Sequence, residues 1–446
     1  MATTSESTAS GSPASESTAS GGPATGTTAA GPSDSPHAGP ADTPAAVPVR
    51  AGLPGRYLLW LGGTQAGLLG DAALYFALGW AASAHGGGAA GLVLTAITLP
   101  RTALVLLGGA VADRFGARRV MLAGDAVMLA GTLALAAAAS GPGIPLRLLV
   151  AAAAVIGTVD AFYLPASGSM PRRLVGAHQL PRALALRQAG GQVAALLGAP
   201  LGGALVAVGG LAGAALADAV SFGLVLLVLL RVRPPAERGP ARSAADSPGL
   251  LREAAAGVRL ALADPLLRAA LLLTGAAAGA LLPVVSLLVP LLARTHGWGA
   301  GAVGLVGGGE GAGVLVVAGL VSWRGTLRRA GAGAAAGLCT ASAGIAVLAW
   351  APGVAPAVAA GVVAGAGSGL FACHLGPLVL GGAPEGHLSR VQALLTLVQS
   401  AALVLSTGLL GVLADTAGAR WPTALCALAT GAAGLAAFSS AALRRA

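Results

Sequence analysis

Long apolar runs separated by short polar turns dominate this chain from Tyr57 onward. Each run has about 18 or more residues, which is enough for a helix to cross a hydrocarbon layer of roughly 30 Å. The runs are continuous rather than alternating, so they predict helices and not barrel strands. We predict twelve transmembrane spans, at 57–82, 91–112, 120–139, 146–166, 183–207, 211–231, 266–292, 300–322, 330–350, 354–380, 391–413 and 421–442.

Two polar segments lie outside these runs. Residues 1–52 are rich in Ser, Thr, Ala, Gly and Pro and contain a repeated short stretch, which predicts a disordered low-complexity tail. Residues 232–265 separate the sixth and seventh spans and are predicted to be a cytoplasmic linker with a surface helix near 251–263. The remaining chain is predicted to form an N-terminal six-helix half, 53–231, and a C-terminal half, 266–446.

Composition and charge agree with a membrane protein. The chain is 55% hydrophobic and 9% charged, whereas soluble domains have about 25% charged residues. The net charge of +10 does not indicate nucleic acid, because the arginines cluster in alternate loops. The loops on one side hold only Arg147, Arg294 and Arg420. The positive-inside rule therefore predicts cytoplasmic termini and a multi-pass protein of the cell membrane, with the lipid bilayer as its surroundings.

An internal repeat relates the two predicted halves. A shift of 210 residues places the segment 319–329 on 109–119, where one Gly and three Arg coincide. A shift of 208 residues aligns Arg182 with Arg390 and Gly203 with Gly411. Repeats of this kind are typical of transporters whose substrate site lies between two matched halves.

The polar turn between the second and third spans carries the most specific motif, Gly109-x3-Asp113-Arg114-x-Gly116-x-Arg118-Arg119. With twelve spans in a 6+6 division, it resembles the major facilitator superfamily of secondary transporters over residues 57–443. The resemblance implies an all-α membrane fold of two pseudo-symmetric six-helix bundles. It also implies a conformational latch that binds neighbouring helix ends and holds the outward-open state. The latch residues are then Gly109, Asp113, Arg114, Gly116, Arg118, Arg119 and, near the same end, Asp125.

The alternative for this turn is that its arginines only anchor the topology. An aspartate inside a positive loop is unnecessary for anchoring, so Asp113 favours the latch. We expect Gly109 to allow a close helix approach and Gly116 to allow the tight turn.

Other short motifs resemble one branch of the superfamily, which contains macrolide-type drug efflux proteins and siderophore exporters. They are Gly70-Asp71, Tyr163-Leu-Pro165 and the Arg172-Arg173 loop. The segment 198–203 is similar to the exporter motif Gly-Pro-x-x-Gly-Gly, with its proline one position late.

Charged residues inside spans are candidate functional groups, because an ion in a bilayer is costly. We predict that Asp71 and Glu310 exchange protons and that Arg101 is the counter-charge for one of them. Loss of hydration favours a neutral carboxylic acid whereas a guanidinium favours the carboxylate, and this tension suits a proton-driven switch. The alternative is a permanent pair of Asp71 with Arg101 that only fixes helix packing.

Other polar residues are further candidates for proton coupling or the substrate cavity: Asp160, His374, Gln188 and Gln192. His374 could instead have a packing role, and the glutamines could join helices by hydrogen bonds. Tyr163 lies near a span end, where aromatic residues belong, so no binding role is predicted for it.

These observations predict a secondary transporter and not an enzyme. The chain has no phosphate-binding GxxxxGK[ST] motif and no cluster with metal-ligand spacing, so we expect neither cofactor nor metal. We predict a monomeric, proton-coupled exporter of small amphipathic molecules such as drugs, antibiotics or siderophores. A nutrient importer on the same fold and a non-transporting membrane scaffold or receptor remain alternatives.

Overall fold

The computed structural model of this chain describes residues 52–141, 143–233, 264–327, 329–382, 388–440 and 443. The regular structure of these residues is entirely helical. Residues 1–51 of the predicted tail and most of the predicted linker, including its surface helix, lie outside the described residues.

Twelve α-helices are described, and most extend a few residues beyond the predicted apolar runs because helix ends reach into the polar region. They are α1 Gly55–Ser83, α2 Gly87–Phe115, α3 Ala117–Ala139, α4 Leu146–Leu174, α5 Leu180–Arg231, α6 Pro265–Ala280, α7 Val289–Thr295, α8 Ala300–Arg324, α9 Ala330–Ala349, α10 Val354–Gly382, α11 Leu388–Ala417 and α12 Arg420–Ser439.

Two predicted spans differ from single straight helices. Helix α5 has 52 residues, about 78 Å if it were straight, and it is broken at Gly210, where φ is 61° and ψ is −160°. Only glycine adopts this conformation readily. The break divides α5 into two parts, which correspond to the fifth and the sixth predicted spans. The seventh predicted span consists of α6, a π-helical turn at Val284–Leu288 and α7. Ten helical segments of the described residues are long and apolar enough to cross a membrane. Helix α5 counts once among them, and α1, the first predicted span, is not included.

The helices pack as neighbours within each half of the sequence, and several of them also contact each other across the halves. In the first half, α1 packs on α5, α2 on α4, and α3 on both α4 and α5. In the second, α10 packs on α8 and α9, while α12 packs on α9 and α6. The two most extensive contacts between the halves of the described residues are α2 with α11 and α5 with α8, and α1 also contacts α7 and the π-helical turn. The chain from Gly52 onward forms one compact unit, so a division into two six-helix domains remains a prediction.

Successive crossings alternate in direction, which gives the bundle two ends. We call the end that carries the α2–α3 turn, with Arg114, Arg118 and Arg119, the arginine-rich end. The opposite end carries the α1–α2 turn, Gly210 and the α11–α12 turn.

A stripe of glycines on α1 sets the position of the first candidate residue. A Cβ at Gly63 would lie 3.1 Å from Val228, and one at Gly67 would lie 3.0 Å from Val225, both on α5. The absence of side chains at these positions lets α1 and α5 approach closely. Asp71, one turn further along α1, is thereby held near the middle of the bundle.

Candidate functional site

Three carboxylates from different helices line a cavity of about 310 Å³ among α1–α5. They are Asp71 of α1, Asp125 of α3 and Asp160 of α4. We call this space the first cavity. The sequence predicted Asp125 near the latch, but the structure places it in this cavity with a fully buried side chain, because α3 packs on α4 and α5 and carries it inward.

Asp160 has the most polar contacts of these carboxylates. The Tyr75 hydroxyl donates a hydrogen bond of 2.6 Å to Asp160 Oδ2, and Arg101 Nη1 lies 3.9 Å from the same oxygen. The sequence predicted Arg101 as counter-charge to Asp71 or Glu310. Among the described residues, Arg101 pairs within 4 Å only with Asp160, since α2 packs on α4.

Several buried carboxylate oxygens have no hydrogen-bond partner among the described residues. They are Oδ1 of Asp71, Oδ2 of Asp218 and both oxygens of Asp125, which interacts with the neighbouring Tyr163 hydroxyl without a hydrogen bond of normal geometry. Ser221 donates to the other oxygen of Asp218 at 3.1 Å. A buried charged group without a partner is costly, so protonation of these carboxylates would lower the cost of burying them.

Glu310 and Arg101 both line a second space of about 380 Å³, which lies between the two halves of the sequence. This central cavity shares Tyr75 and Arg101 with the first cavity. Glu310 also lines a third cavity of about 440 Å³, together with Gln399. The prediction that Arg101 and Glu310 lie at similar depths agrees with this arrangement, although they form no described ion pair.

The remaining predicted cavity residues are divided between the site and other positions. Gln188 lines the first cavity, whereas Gln192 lies at the surface and lines none of the cavities described here. His374 is fully buried; its Nε2 accepts from the Leu327 backbone N–H at 2.9 Å. Its Nδ1 then donates to the Leu370 carbonyl at 2.8 Å. Because both ring nitrogens bind backbone groups, His374 fastens α10 to the α8–α9 turn and does not face the described cavities.

Of the predicted latch residues, Arg118 binds a neighbouring helix, whereas Asp113 binds none among the described residues. Gly116 has a φ of 88° at the α2–α3 turn, and Arg118 Nε donates to the Leu229 carbonyl at 2.9 Å and to Val232 at 3.1 Å. Arg118 therefore fastens the start of α3 to the end of α5. Asp113 is exposed and has no hydrogen bond or ion pair among the described residues.

The close approach predicted at Gly109 is found one residue earlier. A Cβ at Gly109 would meet nothing within 4 Å, whereas a Cβ at Gly108 would collide with the Ala161 backbone of α4. The neighbouring arginines, Arg114 and Arg119, are exposed.

Sequence reasoning missed several residues of the first cavity. Tyr163 had been assigned to an aromatic belt, but it lines the cavity. Arg187 also lines it and donates to Ser167 Oγ at 3.1 Å, and the Gln65 side chain donates to the Arg187 carbonyl at 2.9 Å. Arg187 lies inside the predicted fifth span, so the cost of a charge at that depth was the signal that could have identified it.

Among the residues that the structure describes, contacts between the two halves are concentrated toward the opposite end. The guanidinium of Arg294 lies 3.7 Å from the centre of the Trp80 ring and donates to the Trp80 carbonyl at 2.9 Å. Thr95 and Thr407 are joined by a hydrogen bond of 3.3 Å. These contacts close the opposite end of the bundle.

Comparison with known proteins gives a family and a fold. Residues 61–407 match the family described as Major Facilitator Superfamily. No curated protein matches the sequence.

Solved structures with the same fold include a POT family transporter in complex with a thioalcohol-conjugated peptide, with a TM-score of 0.66, 12% identity and coverage of 86% of this chain and 95% of the other. The nucleoside transporter NupG gives a TM-score of 0.66 with 10% identity, covering 86% and 100% of the two chains. A bacterial homologue of the human lysosomal transporter Spinster, in an inward-facing and unoccupied conformation, gives 0.64 with 14% identity, covering 88% and 97%.

Proposed function

Since the chain belongs to the major facilitator superfamily, we propose that this multi-pass transporter is a proton-coupled exporter of small amphipathic molecules that works by alternating access. The observation that carries the proposal is the polar centre of an otherwise apolar bundle. Asp71, Asp160 and Arg101 line the first cavity, and Arg101 and Glu310 line the central cavity. Ionisable groups at membrane depth are retained for function, and proton relays are a common use of them.

The arrangement supports exchange of protons for substrate. Asp71 lines the first cavity and Glu310 lines the central cavity, while Arg101 lines both. A proton that reaches either carboxylate removes a charge from the cavity and weakens its attraction for a bound cation. Protons entering from outside then release the substrate, and their departure toward the cytoplasm restores the binding site.

The charges around the cavities favour a substrate that is itself an amphipathic cation. Four carboxyl groups line the first and central cavities, from Asp71, Asp125, Asp160 and Glu310, against the guanidinium groups of Arg101 and Arg187. Most other lining side chains are apolar, which suits the apolar part of the substrate.

The opposite end is closed by the contacts of Arg294 and Trp80. The positive-inside rule places the arginine-rich end in the cytoplasm. The conformation with the opposite end closed is then the one that takes up substrate from the cytoplasm.

The test is uptake into everted membrane vesicles whose interior is made acidic. We expect a cationic amphipathic dye to accumulate and an anionic dye of similar size to be excluded. Asp71→Asn and Glu310→Gln should each reduce the pH-driven accumulation about tenfold or more, since each removes a titratable group. Asp264→Asn is the matched control: this carboxylate caps α6 and lines none of the described cavities.

Two outcomes would contradict the proposal. If both cavity variants insert normally and still accumulate dye against its gradient, these carboxylates are not the coupling groups. If the wild-type protein moves substrate only in the inward direction, or moves none, the importer or the non-transporting alternative is favoured.

A further inference from the structure

A carboxylate at the opposite end joins the two halves of the protein. Asp415, near the end of α11, accepts hydrogen bonds from the backbone N–H groups of Gly87 at 2.5 Å and Gly88 at 2.7 Å. These donors are in the first turn of α2, where N–H groups lack helical partners and the helix dipole attracts an anion. A Cβ at Gly87 or Gly411 would collide with the backbone of the other, so α2 and α11 touch directly beside this contact.

The residues around Asp415 repeat the motif of the α2–α3 turn. Residues 411–420 read GVLADTAGAR and residues 109–118 read GAVADRFGAR, with six of ten positions identical. The backbones also match: φ is 81° at Gly418 and 88° at Gly116. The motif therefore occurs twice, once at each end of the bundle.

The two copies lie on neighbouring helices of opposite direction. Helix α2 packs on α11, and each carries its aspartate near its carboxyl end. Asp113 is therefore at the arginine-rich end, the end at which α11 begins, and Asp415 is at the opposite end, on the start of α2. In this structure Asp415 binds the partner helix, while Asp113 has no described hydrogen bond or ion pair.

We propose that Asp415 is a second conformational latch, which holds the opposite end closed and alternates with the Asp113 latch at the arginine-rich end. The proposal rests on the alternating access proposed above. Each carboxylate caps the facing helix when its own end closes and releases it when that end opens. The contact of Arg294 with Trp80 closes the same end independently, so loss of Asp415 shifts the balance between states without abolishing the closed one.

The test measures closure directly by cross-linking and needs no substrate. In a background with Cys339, Cys373 and Cys426 changed to Ala, the pair Thr95→Cys and Thr407→Cys replaces two hydroxyls that are 3.3 Å apart across the halves. Asp415→Asn should slow disulfide formation in native membranes about fivefold, because it removes the charge and one acceptor. Asp264→Asn should leave the rate unchanged, since that carboxylate caps α6 within one half.

A second pair of variants tests the reciprocity. Asp113→Asn should accelerate cross-linking, and the double variant with Asp415→Asn should return toward the wild-type rate. Gly88 lies in the first turn of α2, where proline is tolerated, and Gly88→Pro removes one donor from the other side of the contact. A Cβ at this position would also lie 3.0 Å from Asp415 Oδ2 and displace the carboxylate, so this variant should slow cross-linking too. If Asp415→Asn or Gly88→Pro inserts normally and cross-links at the wild-type rate, Asp415 is not a latch. That result would leave the proton-coupling test unaffected.

Discussion

The residue with the most specific contacts in the cavity is Asp160, which the sequence ranked below Asp71 and Glu310. Depth along a span can be read from the sequence, so all three carboxylates were candidates. Their partners depend on which helices are neighbours, and one sequence does not give that. Because α2 and α4 pack together, Arg101 lies beside Asp160 and not beside Asp71.

At this scale we predict that the Tyr75 hydroxyl stabilises the protein through Asp160. Tyr75→Phe should lower the free energy of unfolding by about 1–3 kcal/mol, since it leaves a buried carboxyl oxygen without this hydrogen bond. In an Asp160→Ala background the same change should cost much less. The measurement is a double-mutant cycle by thermal unfolding in detergent. Equal costs in both backgrounds would show that this hydrogen bond contributes nothing.

At the scale of elements, hydrophobic patterning predicted the positions of the helices, although α4 ends at Leu174 and not at 166, and α1 is not among the ten candidate membrane spans. The gap between the fifth and sixth predicted spans coincides with the break at Gly210. The contacts between helices could be predicted less well from the sequence. The segment 198–203 was recognised only as a motif, but the structure shows that it forms the contact of α5 with α8. Gly203 lies against Gly304, and Ala199 lies against Gly307. The π-helical turn at Val284–Leu288 leaves no hydrophobic signal and was not predicted.

The α5–α8 contact predicts that Gly→Ala substitutions at two glycines of α8 have opposite effects on protein stability. A Cβ at Gly304 would lie 2.9 Å from the Ala199 carbonyl and 3.0 Å from Gly203 Cα, so Gly304→Ala must separate the helices and should destabilise the protein by about 1–3 kcal/mol. A Cβ at Gly319 would meet nothing within 4 Å. Gly319→Ala should be neutral or stabilising by up to about 1 kcal/mol, because alanine favours the helix.

Melting temperatures of the two variants, measured in the same detergent, check this prediction. If Gly304→Ala is as stable as Gly319→Ala, the close approach of α5 and α8 does not hold the halves together.

At the scale of the whole molecule, the alternating helices sort the arginines by end. The α2–α3 and α8–α9 turns, with Arg114, Arg118 and Arg324, lie at one end, while Arg147, Arg294 and Arg420 lie at the other. The sequence predicts the same separation from its loops alone, because the positive-inside rule uses only loop order and charge. The sequence could not predict which end is closed, since that depends on contacts between α2 and α11 and between Arg294 and Trp80.

The orientation can be tested with two single cysteines in a background without Cys339, Cys373 and Cys426. Ser140→Cys, at the opposite end, should react with a membrane-impermeant maleimide in intact cells, because the positive-inside rule places that end outside. Thr326→Cys, in the exposed α8–α9 turn, should react only after the membrane is permeabilised. The reverse pattern would place the arginine-rich end outside. The closed opposite end would then face the cytoplasm. In that case cytoplasmic substrate would enter a different conformation, in which the opposite end is open.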